Sequence, residues 1–116
     1  MKEVKTVYIA GRITDDPHYR AKFERAQRQL EAAGFTVMSP AVLPSSGFPH
    51  RSYMKISCAM LDACDAVYFL PDWKESEGAV YEFGRAVATG KEIINGIAVT
   101  GSGRSDCCIR HTKARV

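Results

Sequence analysis

Asp72, Ser76, Gly78 and Glu82 fall within eleven consecutive positions of the chain. Two carboxylates near one crevice can divide nucleophilic and proton-transfer work, as the paired acids of retaining glycosidases do. Glu82 lies six residues after Ser76, in the second turn of a helix, with Gly78 one turn earlier on the same face. The glycine removes a side chain that would otherwise cover the carboxylate. The alternative for Glu82 is a surface i,i+3 pair with Arg85, worth about 0.3 kcal/mol. Ser76 suits an N-cap; the free N–H groups of the turn behind it either hold an anion such as phosphate or are simply capped.

A second group of candidates ends the first apolar run, Thr6-Val7-Tyr8-Ile9-Ala10. Gly11 lets the backbone approach a ligand, and Arg12 beside it could supply a phosphate's counter-charge. Trp73, the sole tryptophan, follows a strand end in a loop, where it either stacks on a base, serves as a lid or simply packs. Asp65 precedes the third strand and so lies at the opposite sheet edge, with five strand residues, about 17 Å, between it and Pro71. It reads as structural.

The elements that must position these residues follow from periodicity. Thr6–Ala10 predicts a buried strand. Asp16 and Pro17 predict an N-cap and first helical position for a helix carrying Phe23, Ala26, Leu30 and Ala33, closed by Gly34. Phe35–Pro40 predicts a second strand. Residues 41–51, with Pro44, Gly47 and Pro49, form a long loop of the kind that serves as a lid or binding loop. A helix from about Ser52, a strand over Ala66–Leu70, a helix from Ser76 to Thr89 and a strand over Glu92–Val99 complete the order. Alternating strands and helices predict an α/β, three-layer flavodoxin- or Rossmann-like sandwich with a four- or five-stranded parallel sheet, strand order 2-1-3-4. In that topology ligands bind at the carboxyl ends of strands one and three, where the order reverses. The first turns of helices two and three, around Ser52–Ser57 and Ser76–Glu82, then point into one solvated crevice.

With the elements placed, three stretches resemble the nucleoside 2-deoxyribosyltransferase-like superfamily. They are Val7–Gly11, Cys64–Trp73 and Ser76–Ala86. The resemblance covers roughly residues 4 to 95 and is nearest to a bacterial and phage branch of unknown function, with deoxynucleoside 5′-monophosphate N-glycosidases more distant. It implies that Glu82 attacks C1′ of a deoxyribose, that Tyr8 orients Glu82, and that Ser76 contacts a 5′-phosphate beside Gly11 and Arg12. The activity implied is N-glycosidic cleavage, with water or a second base as acceptor. A non-catalytic module that binds a nucleotide in the same crevice is the alternative. Ser57 stands where relatives often carry an aspartate that handles the sugar and leaving base, so Asp72 or a neighbour would substitute. The resemblance also implies a homodimer or higher homo-oligomer.

Other function classes fit less well. The loop after the first strand lacks G-x-G-x-x-G, so no nicotinamide cofactor is expected. The four cysteines (Cys58, Cys64, Cys107, Cys108) and the histidines His18, His50 and His111 show no metal-ligand spacing, so no metal is expected. No apolar run approaches the ~20 residues of a membrane helix, and the first residues lack a signal peptide's apolar core, so a cytoplasmic protein is expected. The formal charge of +3 lies in residues 96–116, a basic tail set apart from a neutral 1–95 domain. Such a tail is weak support for nucleic-acid binding; a solvated or disordered tail is the better reading, so no nucleic-acid partner is expected.

Overall fold

The structure, a computed structural model, describes residues 4–96 and the backbone of 109–113. Strand β1 (Thr6–Ala10), helix α1 (Tyr19–Ala32), strand β2 (Thr36–Met38), helix α2 (His50–Asp62), strand β3 (Ala66–Phe69), helix α3 (Glu77–Ala88) and strand β4 (Glu92–Gly96) alternate along the chain. Strands β2, β1, β3 and β4 are parallel in that spatial order, which is the 2-1-3-4 arrangement. A fifth strand, β5 (Ile109–Lys113), pairs antiparallel with β4. It lies inside the segment expected to be a tail, and its direction differs from the all-parallel expectation. An antiparallel edge strand is a common completion of such sheets, because it needs no crossover helix.

Alternation along the central strands builds two cores. Val7 and Ile9 of β1 pack with Phe23, Ala26 and Leu30 of α1 on one face. Tyr8 and Ala10 pack with Leu61 of α2 and with Ala79 and Ala86 of α3 on the other. This period of two puts the phenol of Tyr8 beneath α2 and α3. Every residue of β3 is buried, as a strand covered on both faces requires.

Boundaries differ from expectation where local hydrogen bonds compete with the helix. Asp16 does not cap α1; its Oδ1 accepts from the His18 N–H at 2.9 Å, closing a separate turn before the helix starts at Tyr19. Helix α2 begins at His50, two residues earlier than expected, directly after Pro49. Residues 97–99, expected to extend β4, lie outside the described residues, as do Cys107 and Cys108. Asp65 is structural: its Oδ2 accepts from the Lys5 and Thr6 N–H groups at 3.1 and 3.3 Å, tying β3's start to β1's. No helix of the described residues is long and apolar enough to cross a membrane.

Gly11 is demanded by packing at the end of β1. A Cβ there would stand 2.5 Å from Leu70 Cδ1. Gly84, exposed on α3, has nothing within 4 Å of such a carbon. Gly11→Ala is therefore expected to lower stability by about 1–3 kcal/mol, while Gly84→Ala raises it by about 0.5–1 kcal/mol. Urea unfolding of the two variants checks both signs.

Candidate active site

Helix α3 buries Ala79, Glu82 and Ala86, a stripe at i, i+3 and i+7. Glu82 thus occupies a core position of an amphipathic helix, and only 5% of it is exposed. The expectation of a solvated carboxylate is corrected: Glu82 sits at the floor of the crevice and is nearly dry. A carboxylate there needs donors, and the fold supplies one from the facing strand. The Tyr8 hydroxyl donates to Glu82 Oε2 at 2.7 Å, within the buried core. Arg85 does not pair with Glu82; its guanidinium takes Asp62 of α2, at 2.9 and 2.6 Å. That removes the surface-pair alternative.

Ser57, on α2, is the third polar group of this floor and is buried as well. Its hydroxyl donates to the Met54 carbonyl at 3.3 Å, a long bond within its own helix. It also lies close enough to stabilise the charged forms of Glu82 and Tyr8. Burial pushes the Glu82 carboxyl above the usual range, and the bond from Tyr8 and then the nearby Ser57 hydroxyl pull it partly back. Burial, then the Glu82 charge, hold the Tyr8 phenol far above the ordinary range, so Tyr8 keeps its proton. Cys58 of α2 is raised by burial first and the Glu82 charge second.

Above this floor opens a cleft of about 630 Å³, within the size range of small-molecule sites. Gly11, Arg12 and Asp15 form one wall and Ser76, Gly78 and Glu82 another. The Ser76 Oγ accepts from the Ala79 N–H at 3.1 Å, so the serine does cap α3. A Cβ on Gly78 would come within 3.1 Å of Met54 Sδ, so this glycine sets how closely α3 approaches α2. Arg12 reaches along the rim, where its Nη1 meets Glu75 Oε1 at 3.2 Å.

Two expected site residues are turned elsewhere. Asp72 does not line the cleft. Its Oδ1 accepts from the Arg12 N–H at 3.1 Å and its Oδ2 pairs with Lys22 Nζ. Lys22 also donates to Asp16 and to the Arg12 carbonyl. Asp72 is thus an anchor that fixes the β1 loop, because both its oxygens are committed. Trp73 is stacked on Phe83, with centroids 4.8 Å apart, and tilted against Phe69 at 5.1 Å. It packs on the core in place of stacking on a ligand.

Sequence reasoning named the 41–51 loop but not its contacts. Arg20 of α1 donates to the carbonyls of Ala41 and Leu43, and Tyr53 of α2 to that of Pro44 at 2.8 Å. Leu43, Pro44 and Tyr53, with Tyr19 and His50, complete the cleft's far wall. The available signal was a proline-interrupted loop, whose carbonyls have no ladder and must find side-chain donors.

Residues 5–95 match a domain of unknown function, DUF4406. The chain belongs to this family. No curated protein matches it. Among solved structures, the DUF4406 chain is similar to a 2-desoxiribosyltransferase from Leishmania mexicana, with a TM-score of 0.63 and 22% identity. The alignment covers 78% of this chain and 63% of that one, so the chain spans less than two thirds of that protein's length. The DUF4406 chain therefore has a nucleoside deoxyribosyltransferase-like fold. Among the described residues no cluster of His, Cys, Asp and Glu could hold a metal ion.

Two outcomes follow from this geometry. A carboxyl whose pKa is raised by folding favours the folded state in its protonated form, and that contribution is lost as pH rises through the folded-state value. Glu82→Gln keeps an acceptor for Tyr8 without the buried charge. Its melting temperature is expected to exceed the wild type's by an amount that grows from about pH 4 to about pH 7. Scanning calorimetry across that range checks it; a constant difference contradicts it. Ser76→Ala removes the α3 cap and is expected to cost about 1 kcal/mol in urea unfolding.

Proposed function

We propose that the chain cleaves the N-glycosidic bond of a deoxynucleoside or its 5′-monophosphate, with Glu82 as nucleophile. The observation that supports this reading best is the buried 2.7 Å bond from Tyr8 to Glu82 at the floor of a cleft. Structural carboxylates are rarely buried without a cation; among the described residues this one pairs with the Tyr8 hydroxyl and no cation, which leaves its charge available for an electron-poor carbon. Tyr8 holds one oxygen, so the other is oriented toward the C1′ of a sugar lying over α3. Attack forms a glycosyl ester on Glu82 as the C1′–N bond breaks and the base leaves with its electron pair; water or a second base then displaces Glu82 from C1′.

The site's pH behaviour has a definite sign. Glu82 must be ionised to attack, and burial raises its carboxyl above the ordinary glutamate range. The acid limb of kcat/KM therefore lies above that range. Tyr8→Phe removes a bond that lowers the Glu82 value, so it moves the limb to higher pH. Tyr8 from β1 acts on Glu82, and the Glu82 charge in turn raises Cys58 of α2, so both retain their protons through the limb.

A second reading has its own support. Ser57 offers a hydroxyl where an acid would assist the leaving base, and Asp72 is locked by Lys22 and Arg12. A module that binds a nucleotide without cleaving it fits those facts. Chromatography of free base, with deoxynucleosides and their 5′-monophosphates as substrates, separates the readings. The enzyme reading expects release by the wild type and a loss of more than about 10³-fold in Glu82→Gln, with unchanged circular dichroism. Saturable binding without product, retained by Glu82→Gln, supports the module.

A further inference from the structure

Among the described residues, the floor of the cleft offers a nucleophile but no committed acid. A neutral purine or pyrimidine departs from C1′ with an electron pair and needs a proton as it leaves. On α2, beside Glu82, stands the hydroxyl of Ser57. The Tyr8 hydroxyl is engaged in donating a hydrogen bond to Glu82 Oε2. Both oxygens of Asp72 are held by Lys22 and the Arg12 N–H, away from the cleft. His50 opens α2 seven residues before Ser57, about 10 Å along the helix axis, at the mouth. The remaining carboxylates of the lining, Asp15, Glu75 and Glu77, are exposed on the rim. Glu77 precedes Glu82 by five residues, which sets it about 140° around α3.

The rim has a charge preference as well. Asp15, Glu75 and Glu77 face Arg12 as the one arginine or lysine among the described lining residues, and Arg12 is already on Glu75. Such a mouth attracts a cation and opposes a phosphate dianion. Glu77 sits in the first turn of α3, where its carboxylate already complements the helix N-terminus that a phosphate would otherwise use.

We infer that, on the reading of Glu82 as nucleophile, the substrate is an N-glycoside whose base carries a positive charge and whose sugar carries no 5′-phosphate. A pyridinium or N7-alkylpurinium nucleoside has this chemistry. A Glu82 oxygen forms a bond to C1′, the C1′–N bond breaks, and its electron pair cancels the charge of the ring. The base leaves neutral, without a proton. Water then adds its oxygen to C1′ as the ester bond breaks, the pair returns to Glu82, and one proton passes to solvent.

The test uses the full chain with 2′-deoxyguanosine, 7-methyl-2′-deoxyguanosine and the 5′-monophosphate of the latter, with base release measured above a protein-free background. The kcat/KM of the methylated nucleoside is expected to exceed that of its parent by at least the ratio of their spontaneous release rates. Its 5′-phosphate is expected to lower kcat/KM by about tenfold or more. Both activities should disappear in Glu82→Gln. A methylated-to-parent ratio well below the spontaneous one would show that a donor assists the neutral base. That result, or a preference for the monophosphate, overturns the inference while leaving Glu82 as nucleophile. No Glu82-dependent release from any of the three overturns the nucleophile reading and this inference together.

Discussion

A glutamate with 5% of its surface exposed, and no cation paired with it among the described residues, is the constraint around which the rest of this molecule is arranged. An ionised carboxylate removed from water is costly unless donors replace the lost hydration. Tyr8 supplies the principal one, and it can do so only because three features agree. The strand period turns Tyr8 toward α2 and α3, the α3 stripe turns Glu82 inward, and the 2-1-3-4 order places β1 in the sheet interior between β2 and β3. A one-residue slip of β1 would send Tyr8 to the α1 face and leave Glu82 buried without this bond. The conflict between burial and charge is resolved incompletely, since the Glu82 carboxyl stays above its ordinary range. Residual conflict of that kind is characteristic of sites kept for chemistry.

The surrounding loops turn that pair into an open site. Lys22 gathers the Arg12 carbonyl, Asp16 and Asp72 at one point, which holds the β1 loop against the end of β3. The far wall is fixed from two helices, by Arg20 and Tyr53 on the carbonyls of the proline-interrupted loop. Gly11 and Gly78 serve proximity, one to Leu70 and one to Met54, and the cleft walls take their positions from those contacts.

Much of this was legible in the chain. The apolar runs ending at Gly11 and Pro71 and the capped pattern from Ser76 were enough for the parallel order, because each is a local signal that agrees with the global fold. The convergence of Glu82, Ser76, Gly11, Arg12, Gly78 and Ser57 on one cleft followed from the topology, and Tyr8 was added by the family resemblance. Less legible was anything that depends on competition among side chains. Asp72 stands at the right edge of the sheet, but its committed partner, Lys22, is fifty residues away. Trp73 was ambiguous because its partner Phe83 belongs to the next helix. The direction of β5 lay in long-range pairing across a segment with no clear local pattern. The burial of Glu82 was readable in principle, since Ala79, Glu82 and Ala86 form the core stripe of α3.

The most direct test of Glu82 as nucleophile is to trap its ester. A 2-fluoro substituent on the sugar slows both formation and hydrolysis of a glycosyl ester, and a good leaving base restores formation. Incubating the chain with a 2-fluoro-arabinosyl nucleoside bearing a pyridinium base, then digesting it for mass spectrometry, reads the bond itself. The account predicts one added fluorosugar on the peptide containing Glu82, absent from Glu82→Gln. An adduct on any other residue, or free base released without an adduct on Glu82, would contradict it.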